Sequence, residues 1–126
     1  MLSKTKVVKA ARTAVESLYE GKCTIIEHQK VQKANKSVGF EEVVVLADQP
    51  CRVSYKASNT ATPDGNGATA VIQGIKLFIA PEVDIKPGSK LTITQNGATS
   101  SFKRSGEPAR YATHQEVELD LFKGWS

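Results

Sequence analysis

Aromatic residues are scarce. Four Phe, three Tyr and one Trp make up 6% of the 126-residue chain, so its core must be mainly aliphatic. Cysteine is scarcer still. Cys23 and Cys51 lie far apart in sequence, which excludes a disulfide framework and a CxxC motif and leaves two reduced, buried thiols as the expectation. No apolar run approaches the about 20 residues needed to span a bilayer. The basic start, MLSKTKVVKAARTAVES, lacks the uninterrupted apolar segment of a signal peptide. A cytosolic protein with no membrane partner is expected.

Catalytic signatures are missing too. There is no G-x-S-x-G and no H-E-x-x-H. GNGAT, residues 65–69, lacks the lysine and following helix of a phosphate loop. Glu41 and Glu42 are adjacent, hence on opposite faces of a strand, and cannot act as a pair. Cys23, Cys51, His28 and His114 lack the short paired spacing of structural zinc. No enzyme, no metal and no cofactor are expected.

What is present begins with charge. The formal net charge is +4 and the sequence pI about 9.1, which favours an acidic partner without naming it. The length suits one domain able to bury its own core.

Residues 4–19 read as a helix, with Val7, Ala11, Ala14, Val15 and Leu18 at helical spacing. Its charges oppose the macrodipole: Lys4, Lys6, Lys9 and Arg12 crowd the N-terminal half, and Glu16 and Glu20 lie towards the C-terminus. A solvated face explains this most simply; a basic end kept for a polyanion or an acidic protein surface is the sharper reading.

From Gly21 the period becomes strand-like. Strands are expected over Cys23–Val31, Phe40–Leu46, Cys51–Tyr55, Val71–Ile79, Leu91–Thr94, Ala98–Lys103, around Tyr111, and over Glu116–Leu121. Asn96-Gly97 is the strongest hairpin signal. Pro87-Gly88 suits the centre of a type II turn. Lys56–Thr69, KASNTATPDGNGAT, has no apolar period and reads as a long loop carrying Lys56 and Asp64. The fold expected is mainly β: a small antiparallel β-barrel with an N-terminal α-helix, residues 1–20 being a helical arm and 21–126 the barrel domain with the loop 56–69.

His114 is the residue most open to a catalytic reading. Val117, Leu119 and Leu121 alternate with His114, Glu116, Glu118 and Asp120, so the histidine belongs to a wet, acidic strand face able to dock a basic neighbour. A single-strand-binding barrel is a rival reading, with Lys30, Lys33 and Lys36 in one cluster and Lys103, Arg104 and Arg110 in another. Against it, Phe40, Tyr55, Phe78, Phe102 and Tyr111 fall mostly where core residues are expected. Trp125 is either a packing residue or an interface anchor.

Three stretches in order carry a resemblance: DQPCRVSYK (48 to 56), IKLFIAPEVDIKPGSKLTITQNG (75 to 97) and SGEPARYATHQEVELDLFKGW (105 to 125). Together they resemble a small protein of tailed phages and prophages of Gram-positive bacteria. It is the head-closure, or stopper-type, component of the head–tail connector, often labelled a minor capsid protein. The likeness covers residues 21 to 125. It implies a barrel subunit that joins a ring below the portal, self-associates, and meets the portal or its adaptor above and a tail protein below. It implies sequence-blind contact with packaged double-stranded DNA, and a place in the virion after assembly in the host cytoplasm. A long loop projects into the channel in stopper relatives; the candidate here is 56–69. DNA-facing or interface candidates are Lys4, Lys6, Lys9, Arg12, Lys56, Asp64, His114, Glu116 and Trp125. A tail-completion or minor capsid role is the neighbouring alternative.

Overall fold

The computed structural model describes residues 4–61 and 69–125. Helix α1 spans Lys4–Glu16. It stops short of the expected Tyr19 because the chain tightens: Leu18 N–H bonds Val15 O and Tyr19 N–H bonds Glu16 O, the i→i+3 pattern of a 3₁₀ end. Seven strands follow: β1 Gly21–Gln32, β2 Val38–Ala61, β3 Thr69–Ile79, β4 Lys90–Gln95, β5 Ala98–Arg104, β6 Ala109–Arg110 and β7 Gln115–Leu121. Every pairing is antiparallel, in the order β3-β2-β1-β4-β5-β7-β6, and β3 also pairs with β7. The sheet therefore closes on itself. The chain is mainly β with one N-terminal helix, as the periodicity implied, and closure covers the strand edges of the body.

One strand departs from expectation. Phe40–Leu46 and Cys51–Tyr55 are not two strands but parts of β2. Two irregularities in its pairing with β1 hid this. Residues 47 and 48 together oppose Thr24, and Val45 is an extra residue between the Ile25↔Leu46 and Ile26↔Val44 pairs. Asp48 takes a left-handed φ of 53°, and its N–H reaches Thr24 Oγ1 at 3.3 Å. Bulges of this kind bend and twist a strand. They let β2 follow the curved body and still run straight into two hairpins.

Those hairpins leave the body at opposite ends. The N-terminal half of β2 pairs with the C-terminal half of β1, out to Gln32↔Val38. Its C-terminal half pairs with the start of β3, out to Ala61↔Thr69. The expected loop 56–69 is therefore shorter than its composition suggested: residues 56–61 belong to β2 and Thr69 to β3. Asp64 lies outside the described residues.

The turns follow the sequence closely. Asn96 and Gly97 both take positive φ, 52° and 77°, as a two-residue hairpin requires. Gly88 has φ 84°, and Ser89 N–H closes the turn onto Lys86 O at 3.1 Å.

The core is aliphatic. Cys23, Ile25, Cys51, Val53, Leu77, Ile79, Ile85, Leu91, Ile93, Phe102, Val117 and Leu119 fill the ring. Only one of the five aromatic residues expected there is buried: Phe102. Phe40, Tyr55 and Tyr111 are exposed, and Phe78 is half-buried. Phe40 lies on a hairpin beyond the point where the core ends, so its alternating pattern persists without burial. Leu121 is 55% exposed although it keeps the parity of Val117 and Leu119. Gly21, expected as a helix stop, is instead the buried first residue of β1. A Cβ there would stand 3.0 Å from Gln95 Oε1 and 3.2 Å from Cys51 Sγ. The space goes to Gln95, whose amide accepts from Val53 N–H at 2.8 Å and donates to Val53 O at 3.0 Å, linking β4 to β2 across the end of β1.

The helix is barely attached. None of its residues is buried. Arg12 ties it to Glu16 on the helix and to Glu82 in the turn after β3.

Candidate functional site

His114 sits in a short chain of contacts at the start of β7. Tyr111 N–H bonds His114 O at 2.8 Å, and Thr113, His114 and Glu116 are half-buried beside it. His114 Nδ1 lies 2.9 Å from Thr113 Oγ1, and Nε2 lies 3.0 Å from Glu116 Oε2. Lys76 of β3 reaches Glu116 Oε1 at 3.2 Å. A carboxylate can only accept, so Nε2 donates and the threonine hydroxyl can donate to Nδ1. The His114 hydrogen bond, aided by Lys76, holds the Glu116 carboxyl below the usual carboxylate range.

Hydroxyl, imidazole and carboxylate in that order have the connectivity of a nucleophilic triad. The surroundings argue otherwise. The imidazole stacks on Tyr111 at 5.0 Å and tilts against Phe78 at 5.9 Å, and Glu116 is shared with Lys76. Thr113, His114 and Glu116 line none of the principal clefts among the described residues. Glu118 and Asp120 are exposed beyond them, as the alternation implied. Sequence reading missed Gln115, which shares the inward parity of Val117. It is fully buried, and its Nε2 donates to Ala80 O and Val83 O at 2.8 and 2.6 Å. It holds the turn after β3 against the ring.

Trp125 makes a second cluster. Its ring stacks on His28 at 4.5 Å and meets Phe122 edge-on at 4.9 Å. His28 also tilts against Phe40 at 5.2 Å. The indole N–H donates to Glu42 at 3.0 Å, and Lys90 lies 3.6 Å from the same carboxylate and 5.3 Å from the Phe122 centroid. The Trp125 hydrogen bond, with Lys90, lowers the Glu42 carboxyl. The C-terminal tail is thus clasped against the β1–β2 hairpin. Beside it lies an open cleft of about 760 Å³, lined among others by Phe40, Phe122, Trp125, Lys86 and Lys103.

The remaining candidates scatter. Lys4 and Lys9 are exposed on α1; Arg12 is engaged by Glu16 and Glu82. Lys56 is exposed where the β2–β3 hairpin leaves the body and lines a cleft of about 550 Å³ with Lys76, Phe78 and Glu118. Cys23 and Cys51 are buried together. Their mutual hydrogen bond and burial push the Cys23 thiol far up. Among the described residues no three of His, Cys, Asp and Glu gather as metal ligands, and no helix is long and apolar enough to cross a membrane.

The chain matches no family profile and no curated protein. Among solved structures, the phage-like element PBSX protein xkdH from Bacillus subtilis overlays with a TM-score of 0.46 and 13% sequence identity, over 79% of this chain and 91% of that one.

Proposed function

We propose that this chain is a non-catalytic structural subunit of the head–tail connector of a tailed phage or prophage, of the head-closure type. It joins a ring below the portal, helps retain packaged double-stranded DNA and receives the tail. The observation that carries the reading is β2. One 24-residue strand, about 80 Å along its path if fully extended, threads a closed ring and emerges at both ends as one side of a hairpin. A subunit held between a portal or adaptor on one side and a tail protein on the other needs surfaces at two ends, and this strand supplies them. The three stretches that resemble head-closure proteins lie on the middle of β2, on β3 with β4, and on β7 with the Trp125 tail. Lys56, at the root of the second hairpin, suits sequence-blind phosphate contact in a channel. The work is done by shape and surface charge, in the virion.

Particles made without the gene test this reading. Filled heads that leak DNA and carry no tails support head closure. Stable filled heads beside defective free tails would assign the chain to tail completion instead, and normal particles would remove it from the connector.

A single-strand-binding role is favoured by one observation, the cleft that combines Phe40, Phe122 and Trp125 with Lys86 and Lys103. Against it, Trp125 spends a ring face on His28, which leaves less surface for stacking bases. Titration with labelled oligonucleotides across a salt series separates the two: tight binding that survives moderate salt belongs to the second reading.

A further inference from the structure

The sheet closes around the body but not along the first hairpin. β1 pairs with β2 out to Gln32, yet with β4 only over Lys22–Ile26. From Glu27 to Gln32 one edge of β1 therefore has no strand beside it among the described residues. Successive residues of an antiparallel strand aim their N–H and C=O groups at alternate neighbours. Half of the backbone groups in this stretch thus have no strand to pair with. The cause is local. Pro87 and Gly88 turn the chain just before β4 begins, Gly88 at a φ of 84° that favours glycine. Ser89 N–H closes that turn onto Lys86 O, so β4 ends at Lys90, opposite Ile26.

The other edge of this hairpin, on β2, suits a partner less. It carries both irregularities, at Val45 and at residues 47 and 48, and bulges blunt an edge against strand addition. The β1 edge keeps an unbroken register from Ile26↔Val44 to Gln32↔Val38. It is about 20 Å long, room for a peptide of about six residues. Trp125 stacks on His28 and so covers the sheet face there. An added strand lies in the plane of the sheet, at right angles to that face.

The edge starts in the cleft of about 760 Å³, which Glu27 and His28 help to line. Ser89 lines it as well, is 2% exposed, and its hydroxyl has no hydrogen-bond partner. A buried polar group left over in this way marks an incomplete site. Lys86 and Lys103 also face the cleft, and neither forms an ion pair among the described residues. The acidic lining residues are Glu27, which accepts from Gln29 at 3.2 Å, and Asp120. Lys30 is exposed on the edge strand itself, with Lys33 and Lys36 beyond it in the turn. Lysine on an edge strand opposes pairing with a copy of itself, because like charges are brought side by side. An acidic strand meets the opposite case, so charge selects a different chain as the occupant.

We propose that the free edge of β1, Glu27–Gln32, accepts an extended acidic segment of another protein as an added strand. Its backbone pairs with β1, and its carboxylates meet Lys30 on the strand and Lys86 and Lys103 in the cleft. Main-chain bonds supply the affinity of such an addition, and side chains its selectivity. The inference adds a docking mode to the connector reading without resting on it.

Peptide selection tests it. The full chain is screened in low salt against a display library of short random peptides, and the peptides that enrich are synthesised. Enriched sequences are expected to be acidic, rich in β-branched residues and free of proline. On binding, alternate backbone amides between Glu27 and Gln32 should become protected from hydrogen exchange. The double variant Lys30→Glu, Lys86→Glu should bind roughly tenfold more weakly, whereas Lys9→Glu on the helix should bind as the wild type does. A peptide with its acids changed to lysine should recover binding to the double variant, which misfolding cannot mimic. No enrichment, equal binding by the wild type and the double variant, or protection confined to other strands overturns the proposal. A dimer joined through the β1 edge in the absence of peptide also overturns it, by giving the edge to a second copy.

Discussion

The indole N–H of Trp125 lies 3.0 Å from a carboxylate oxygen of Glu42, so the C-terminal tail is fastened to the root of a hairpin formed much earlier in the chain. Stacking on His28 and the edge contact with Phe122 complete the clasp. Replacing Trp125 with Ala removes two ring contacts and half-buried apolar area. We expect a loss of about 1–2 kcal/mol of folding stability, read as a lower urea midpoint. Glu42→Gln keeps an acceptor for the indole and is expected to shift the midpoint much less. Equal effects of the two would mean that charge, not ring packing, holds the tail.

Gly21 is required by close approach. Gly21→Ala pushes a methyl group against Gln95 Oε1, Cys51 Sγ and Cys51 O, and Gln95 must then shift, which strains its paired bonds to Val53. A cost of about 1–3 kcal/mol is expected, and it should shrink in a Gln95→Ala background. Additive losses in the double variant would show that Gln95 is not the obstruction.

Glu116 gives the fold an acid-sensitive contact. Its folded carboxyl titrates below the unfolded value, so its contribution is complete above that value, about 4.3, and is lost as pH falls through the folded one. Stability curves at stepped pH should converge for the wild type and Glu116→Gln once both are acidified, and differ by under about 1 kcal/mol at neutral pH. A gap that widens on acidification would contradict the sign.

The thiols should be silent. Cys23 and Cys51 have no exposed surface, and Cys23 is held far from its thiolate. Reaction with Ellman's reagent is expected only at the rate of unfolding, with both thiols appearing together on adding denaturant. Rapid labelling of either in the folded protein would show an opening that the packing does not contain.

Much of the fold was legible in the sequence, because closed antiparallel rings write themselves as short alternating runs between turn residues. The Asn96-Gly97 and Pro87-Gly88 turns fell where their backbone demands put them. The failures share a cause. A hairpin that leaves the body keeps its alternation of apolar residues but loses its core, so Phe40 reads as buried and is not. Bulges break the period of two, so β2 reads as two strands, Phe40–Leu46 and Cys51–Tyr55. The helix reads as one apolar stripe through Val7, Ala11, Ala14, Val15 and Leu18, widened by Val8 and Tyr19, and of these only Val8, Val15 and Tyr19 are partly covered. Gln115 was hidden by its polarity, although it shares the inward parity of Val117. His114 and Glu116 were rightly placed on one polar face; that Thr113, Tyr111, Phe78 and Lys76 surround them depends on β3 lying beside β7, which no local pattern encodes.

The central claim is that this chain works as a ring-forming connector subunit. Purified protein, mixed with portal or adaptor rings of the phage that carries it and imaged by negative-stain electron microscopy, tests that most directly. The account predicts an added layer of density below the portal, with the copies joined side by side. Portal rings that stay bare in low salt at micromolar protein would contradict it.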